Sequence, residues 1–305
     1  MIAFLFPGQG SQKVGMGKDL CDNHVLAKTV FAAADDALGF KLSKLCFEGP
    51  ESELTLTANA QPAILTTSIA AMRVYEKETG TNPNLAAGHS LGEYSALVCA
   101  SAISLQDAVR LVNLRGKFMQ EATPAGTGAM AAVIGLDART IEDTCKEAAG
   151  DEICSPANFN GGGQTVIAGH KAAVERAMAL AKQKGAKLVK ALAVSAPFHC
   201  ALMKPAADKL REALEPINVK TPRIPVVHNV TAEPNTDGAQ IKRLLVEQVT
   251  APVRWEDCTR TLAKMGATRG LEFGAGNVLA GLVKRIEPNL PVRSVADLKD
   301  VTPWS

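Results

Sequence analysis

Gly88-His89-Ser90-Leu91-Gly92 has the form G-x-S-x-G, and the fold of the chain follows from how that pentapeptide is set. Asn84-Leu85-Ala86-Ala87 before it reads as the end of a short buried strand, and residues 93–100 after it read as a helix. Strand, turn and helix in that order are what a nucleophile elbow requires. Glycines on both sides let the backbone turn sharply and lift the serine hydroxyl out of the fold. A helix starting at Ser90 would aim its free N–H groups and its positive dipole end at a developing oxyanion. The same residues also suit a plain glycine-bounded turn, so the motif does not decide the matter alone.

The 305 residues are 47% hydrophobic, which suits one large unit or two domains of unequal size. Basic and acidic residues, 33 against 31, nearly cancel, so no footprint for nucleic acid or an anionic membrane is visible. An acidic partner would be met by a local basic patch. No apolar run reaches the roughly 18 residues of a membrane span. Met1-Ile2-Ala3-Phe4-Leu5-Phe6 lacks a basic leader and reads as a first buried strand, not a signal peptide. The seven cysteines form no C-x-x-C pair and no metal-type spacing; reduced thiols and a cytoplasmic location are expected. Cys200 follows a histidine but reads as a small buried hydrophobe.

In Phe6-Pro7-Gly8-Gln9-Gly10-Ser11-Gln12, two glycines bracket Gln9, so its backbone can approach another element closely. The third glycine of a dinucleotide fingerprint is missing. Asn59-Ala60-Gln61-Pro62 is expected to open a helix, with asparagine as cap and proline in the first turn. A second helix is expected from Ser104 to about Glu121, with Gln106, Arg110, Asn113, Lys117 and Glu121 on its polar face. Arg115 stands three or four residues from Leu111, Val112, Phe118 and Met119, which puts it in the apolar stripe. A buried guanidinium cannot shed its proton and needs an anionic or multiply accepting partner. Arg115 is then either a member of an ion pair internal to the fold, an arginine that snorkels its head group to solvent, or a clamp for a carboxylate arriving with the substrate.

From Gly126 the pattern changes to strand, helix, strand, strand, helix, strand, with Gly161-Gly162-Gly163 as a hairpin turn. That order is ferredoxin-like. Residues 126–195 are therefore expected to be a small inserted domain. Residues 1–125 and 196–305 are expected to form a larger α/β-hydrolase-like body with a parallel sheet. The chain re-enters the body at Ser195-Ala196-Pro197-Phe198-His199-Cys200, where His199 is placed to face the elbow as a base. Of the five histidines, His24 and His170 lie in polar contexts, His228 in a strand-like run, and His89 beside the serine. No Asp or Glu between Ser90 and His199 stands out from ordinary helix-surface charges.

With Gln9, Ser90, Arg115 and His199 in place, the chain resembles the malonyl-CoA:acyl-carrier-protein transacylases of bacterial fatty acid synthesis over essentially its whole length. The matching blocks, in order, are residues 6–12, 88–93, Asn113-Leu114-Arg115-Gly116, Asn158-Phe159-Asn160 and Ala196-Pro197-Phe198-His199. The resemblance implies Ser90 as nucleophile, His199 as base, Arg115 as clamp on the malonyl carboxylate, and an oxyanion hole from the backbone N–H groups of Gln9 and Leu91. It also implies that the backbone carbonyl of Gln248, not an aspartate, orients the histidine. His89, Asn160 and Phe198 are candidates for the pocket wall. Malonyl-CoA and an acidic acyl carrier protein are the implied partners, with no cofactor and no metal. Lys117, Lys187, Lys190 and Arg285 are candidates for docking the carrier protein. Gly274-Ala275-Gly276 departs from the family, where a proline commonly stands between the glycines. An esterase or thioesterase, a polyketide-pathway acyltransferase and a non-catalytic docking module are the rival readings. No heptad or exposed apolar run is visible, so a monomer is expected.

Overall fold

The computed structural model describes residues 1–124, 126–194 and 196–304. The joints expected at 125/126 and 195/196 fall on Ala125 and Ser195, which lie outside the described residues.

β1 (Ile2–Phe6) is an unbroken apolar run, the pattern of a strand covered on both faces. Its side chains alternate: Phe4 and Phe6 enter one buried cluster, Ala3 and Leu5 the other. β2 (Leu85–Gly88) pairs with it in parallel, Phe6 opposite Gly88, so the first loop and the elbow leave the sheet side by side.

Helices α1 (Lys18–Asn23), α2 (Val25–Leu38), α3 (Leu42–Glu48) and α4 (Glu51–Thr55) lead to α5 (Thr57–Thr79), which is buried along most of its length. α5 starts at Thr57, not at Asn59. Asn59 lies inside it and donates its side-chain amide to the Glu53 carbonyl, at 2.9 Å. Pro62 thus sits in the second turn, where its missing N–H leaves the Ala58 carbonyl without a helical partner. Asn113 donates to that carbonyl at 2.8 Å, which is why Asn113, expected on a solvated face, is buried.

After β2 come α6 (Gly92–Cys99) and α7 (Leu105–Glu121), the latter capped by the Ser104 side chain, which accepts from the Asp107 N–H. A Cβ on Gly116 would lie 2.6 Å from the Thr57 carbonyl oxygen, so α5 and α7 meet backbone to backbone.

A second sheet follows. β3 (Gly128–Ile134), α8 (Ala138–Ala149), β4 (Cys154–Gly161), β5 (Gln164–His170), α9 (Lys171–Gln183) and β6 (Leu188–Ala191) give an antiparallel sheet in the order β4-β5-β3-β6 with its own apolar cluster. This is the ferredoxin-like arrangement. Gly161, Gly162 and Gly163 all have positive φ (79°, 61° and 73°) and make the hairpin. The last strand ends at Ala191; Leu192 still donates its N–H to the Met130 carbonyl of β3, and Leu192, Ala193 and Val194 line a cleft.

The chain then returns through α10 (Lys204–Leu214), β7 (Val226–Val227), β8 (Pro234–Asn235), α11 (Gly238–Glu247), α12 (Trp255–Lys264), β9 (Arg269–Phe273), α13 (Val278–Ile286) and β10 (Val292–Val295). The large sheet runs β10-β9-β1-β2-β7-β8, parallel except for the edge pair β7–β8. The fold is therefore α/β, a hydrolase-like parallel body with a ferredoxin-like sheet. Ligands of such bodies bind beyond the carboxyl ends of the strands, where the elbow lies. Among the described residues no helix is long and apolar enough to cross a membrane.

Candidate active site

Ser90 has φ 51°, in the left-handed region that costs a residue with a side chain free energy. The helix begins at Gly92, after the turn, rather than at Ser90. Side chains at Gly88 or Gly92 would collide, the first with the Gly92 backbone and the second with the Phe6 carbonyl. Asn229 clamps the turn from both sides: its amide oxygen accepts from the Ser90 N–H, and its amide nitrogen donates to the Gly88 carbonyl, each at 2.7 Å.

His199 also has a left-handed backbone (φ 59°) and is buried. Its Nε2 lies 2.8 Å from Ser90 Oγ and its Nδ1 lies 2.7 Å from the Gln248 carbonyl oxygen. A carbonyl only accepts, so Nδ1 carries the proton and Nε2 presents its lone pair to the serine hydroxyl. Burial, then the Arg115 cation, drive its pKa down to about 3, while the Gln248 carbonyl pulls the other way. The imidazole is thus neutral and poised as a base.

Arg115 is buried. Nη1 donates to Gln61 Oε1 (2.8 Å), and Nη2 donates to Gln248 Oε1 (2.9 Å) and to Ser90 Oγ (3.1 Å). The guanidinium carbon lies 5.5 Å from the centre of the Tyr94 ring. Among the described residues no carboxylate pairs with it, and its Nε has no partner. Burial lowers its pKa, against the pull of Tyr94 and Glu93, yet a guanidinium keeps its proton in proteins. An internal ion pair is therefore excluded among the described residues, and burial excludes a snorkelling head group; what holds the cation is two neutral amides and a hydroxyl.

A Cβ on Gly8 would sit 2.6 Å from the His89 carbonyl oxygen, so the first loop lies directly against the elbow. The backbone N–H groups of Gln9 and Leu91 donate to nothing among the described residues and stay free. The Gln9 side chain donates to Thr57 Oγ1 at 3.2 Å. Around the serine is a cleft of about 370 Å³ whose walls include Gln9, Gln61, His89, Met130, Leu192 and Phe198. His89 faces Asn160 (Nε2 to Oδ1 2.9 Å), and Asn160 lies behind it rather than on the wall. A larger groove of about 770 Å³ between α10 and α11 is bordered by surface ion pairs such as Lys204–Asp208 and Arg243–Glu247 and lies away from the serine.

Glu93, expected among surface charges, is fully buried. Its Oε1 lies 2.6 Å from His228 Nδ1, and its Oε2 accepts from the Asn229 N–H (2.9 Å) and Gln248 Nε2 (2.8 Å). It does not touch His199. Gln61, Glu93, Asn229 and the Gln248 side chain are site residues that sequence reasoning missed. The available signals were an acid in the first turn after the elbow and polar residues in otherwise apolar runs. Cys200 is buried with its thiol pushed up to about 11, as befits a packing residue. Lys117, Lys187, Lys190 and Arg285 are all exposed.

A strained serine hydroxyl, a neutral imidazole on it and free N–H groups beside it belong to enzymes that transfer acyl groups through their own serine. The model of the acyl transferase domain family matches residues 3–297, and the chain belongs to that family. It is 53% identical over 289 residues to the malonyl CoA-acyl carrier protein transacylase of Escherichia coli K12, covering 95% of this chain and 94% of that protein. The protein of the same name from Bacillus subtilis 168 is 51% identical over 297 residues, covering 97% and 93%. A crystal structure of an acyl carrier protein S-malonyltransferase from Vibrio cholerae superposes with a TM-score of 0.96 at 48% identity, covering 98% of each chain. A malonyl-transacylase solved in complex with a type II polyketide acyl carrier protein gives 0.96 at 50% identity, covering 98% of this chain and 97% of that one.

Proposed function

We propose that the protein moves the malonyl group of malonyl-CoA onto the phosphopantetheine thiol of an acyl carrier protein, supplying extender units for fatty acid synthesis. His199 Nε2 takes the Ser90 proton as Oγ attacks the thioester carbonyl. The negative oxygen that develops is met by the N–H groups of Gln9 and Leu91, each a source of roughly 3 kcal/mol. The bond to sulfur breaks, the CoA thiol leaves with the proton from His199, and malonyl-Ser90 ester remains. In the return half the carrier thiol gives its proton to His199 and attacks the ester, and Ser90 recovers its proton. In this reading residues 1–125 and 196–305 are the catalytic body and 126–195 the insert. The chain works as a cytoplasmic monomer without a cofactor and meets neither nucleic acid nor membrane.

One observation carries the choice of acyl group: a buried cation paired with no carboxylate among the described residues, 3.1 Å from the nucleophile. An esterase has no use for it. Arg115→Ala should cost about 2–5 kcal/mol of malonyl-specific stabilisation. That is a fall of roughly 30- to several-thousand-fold with malonyl-CoA, with acetyl-CoA unchanged or faster. Arg115→Lys should rescue only in part, since a point charge lacks the two-pronged fork. Intact-mass measurement after malonyl-CoA, then after carrier protein, reads both half-reactions. Discharge to water as fast as to carrier protein would make it a hydrolase instead.

A further inference from the structure

The side chain of Gln248 has no role in that mechanism, which uses only its backbone carbonyl. Yet it is fully buried and placed between two charged groups. Its Oε1 accepts from Arg115 Nη2 at 2.9 Å, and its Nε2 donates to Glu93 Oε2 at 2.8 Å and to the Ser90 carbonyl at 3.0 Å. A guanidinium only donates and a carboxylate only accepts, so just one orientation of the amide is tolerated. Turned over, it would set NH₂ against the guanidinium and C=O against the carboxylate.

We propose that Gln248, its amide locked by Glu93, is a positioning residue that aims Arg115 at the acyl carboxylate and so sets acyl selectivity. This rests on the reading of Arg115 given above. The arrangement solves a conflict. A direct ion pair with Glu93 would satisfy Arg115 and leave little attraction for a substrate anion, whereas an untethered guanidinium would lose its direction. An interposed amide fixes the guanidinium and spares its charge. Gln61 does the same at the other end, accepting from Nη1 at 2.8 Å. Glu93 is itself fixed by His228 Nδ1 and the Asn229 N–H, so the amide it orders rests on a rigid base. Gln248 therefore has two separable tasks. Its backbone orients the base for every acyl group; its side chain directs the cation for carboxylated ones.

The test uses the full chain, with acylation of Ser90 by malonyl-CoA and by acetyl-CoA followed by intact mass at stopped times. Gln248→Met keeps the carbonyl on His199 and removes the amide. A lost hydrogen bond to a charged group corresponds to about 10- to 100-fold. The malonyl-to-acetyl rate ratio should fall by about that factor, mainly through a higher KM for malonyl-CoA. Glu93→Gln touches neither Arg115 nor substrate, but frees the Gln248 amide to turn; the ratio should fall several-fold there too. It decides the matter should Gln248→Met fail to fold. Equal losses with both acyl groups, or an unchanged ratio, would overturn the proposal. Arg115→Ala run alongside separates the two readings: if that variant leaves the ratio unchanged, the role given to Arg115 is what has failed.

Discussion

Ser90 and His199 both hold left-handed backbones without being glycine, and they face each other across 2.8 Å. Strain of this kind persists only where the surroundings over-determine it, and here Asn229 and the Gln248 carbonyl do so. Ser90→Ala should fold and take up no acyl group; an adduct on another residue would displace Ser90 as nucleophile. His199→Ala should slow acylation by about 10²–10⁴. The depressed pKa of His199, about 3, has a clear consequence for pH dependence. The base is active when unprotonated, so lowering its pKa extends activity toward acid. The second-order rate constant for acylation, which reports the free enzyme, should stay level down to about pH 5, where an ordinary imidazole is mostly protonated. An acid limb near 6.5 would refute this. Ser90, Arg115 and His199 were legible because motif or periodicity marks each within a few residues. Glu93, Asn229 and Gln61 were harder to read: an acid in the first turn after the elbow and polar residues in apolar runs mark them, but the bonds that give them their roles join residues 54 to 155 positions apart.

The seam between α5 and α7 shows how helices position a single cation. Pro62 frees a carbonyl, Asn113 takes it, and two residues further on Arg115 is delivered beside the serine. The sequence gives the existence of both helices and the burial of Arg115. It does not give the start of α5, since a proline near a capping residue imitates a helix N-terminus. Only the partner helix reveals that Pro62 is interior. Gly116→Ala would press a methyl within 2.6 Å of the Thr57 carbonyl oxygen and 2.7 Å of Ala58 Cα, both backbone atoms that cannot yield. Overpacking of this kind costs about 1–3 kcal/mol. We expect a lower Tm together with a malonyl rate reduced more than the acetyl rate, because the shift moves the neighbouring Arg115. An unchanged Tm would show that the helices part freely.

On the scale of the whole molecule, the formal charge is only +2, so attraction for an acidic carrier protein must be local. Lys190 lies on β6, whose chain runs on into the cleft wall at Leu192. Arg285 lies against the Gly162 hairpin, one residue from Gly161, which α13 meets at Ile286. Transfer to carrier protein should weaken as salt rises, while acylation by the CoA thioester changes less. Equal salt dependence of the two half-reactions would count against a charged docking patch. The small sheet was legible from its strand order and glycine turn, which follow from local periodicity; of the large sheet the separate buried strands were legible but not their order. The way the two sheets share one cleft was not legible. Ser90, Arg115 and His199 come from the parallel body, while Met130, Asn158 and Leu192 come from the antiparallel sheet and its exit. Exchange of the smaller sheet between relatives would therefore have to carry its seam with it, because Ala157 and Phe159 of β4 are bonded backbone to backbone to Val253 of the body. The chimera would keep its reacting atoms and acquire a foreign wall for the arm that carries the acyl group, so donor preference could be bred separately from chemistry.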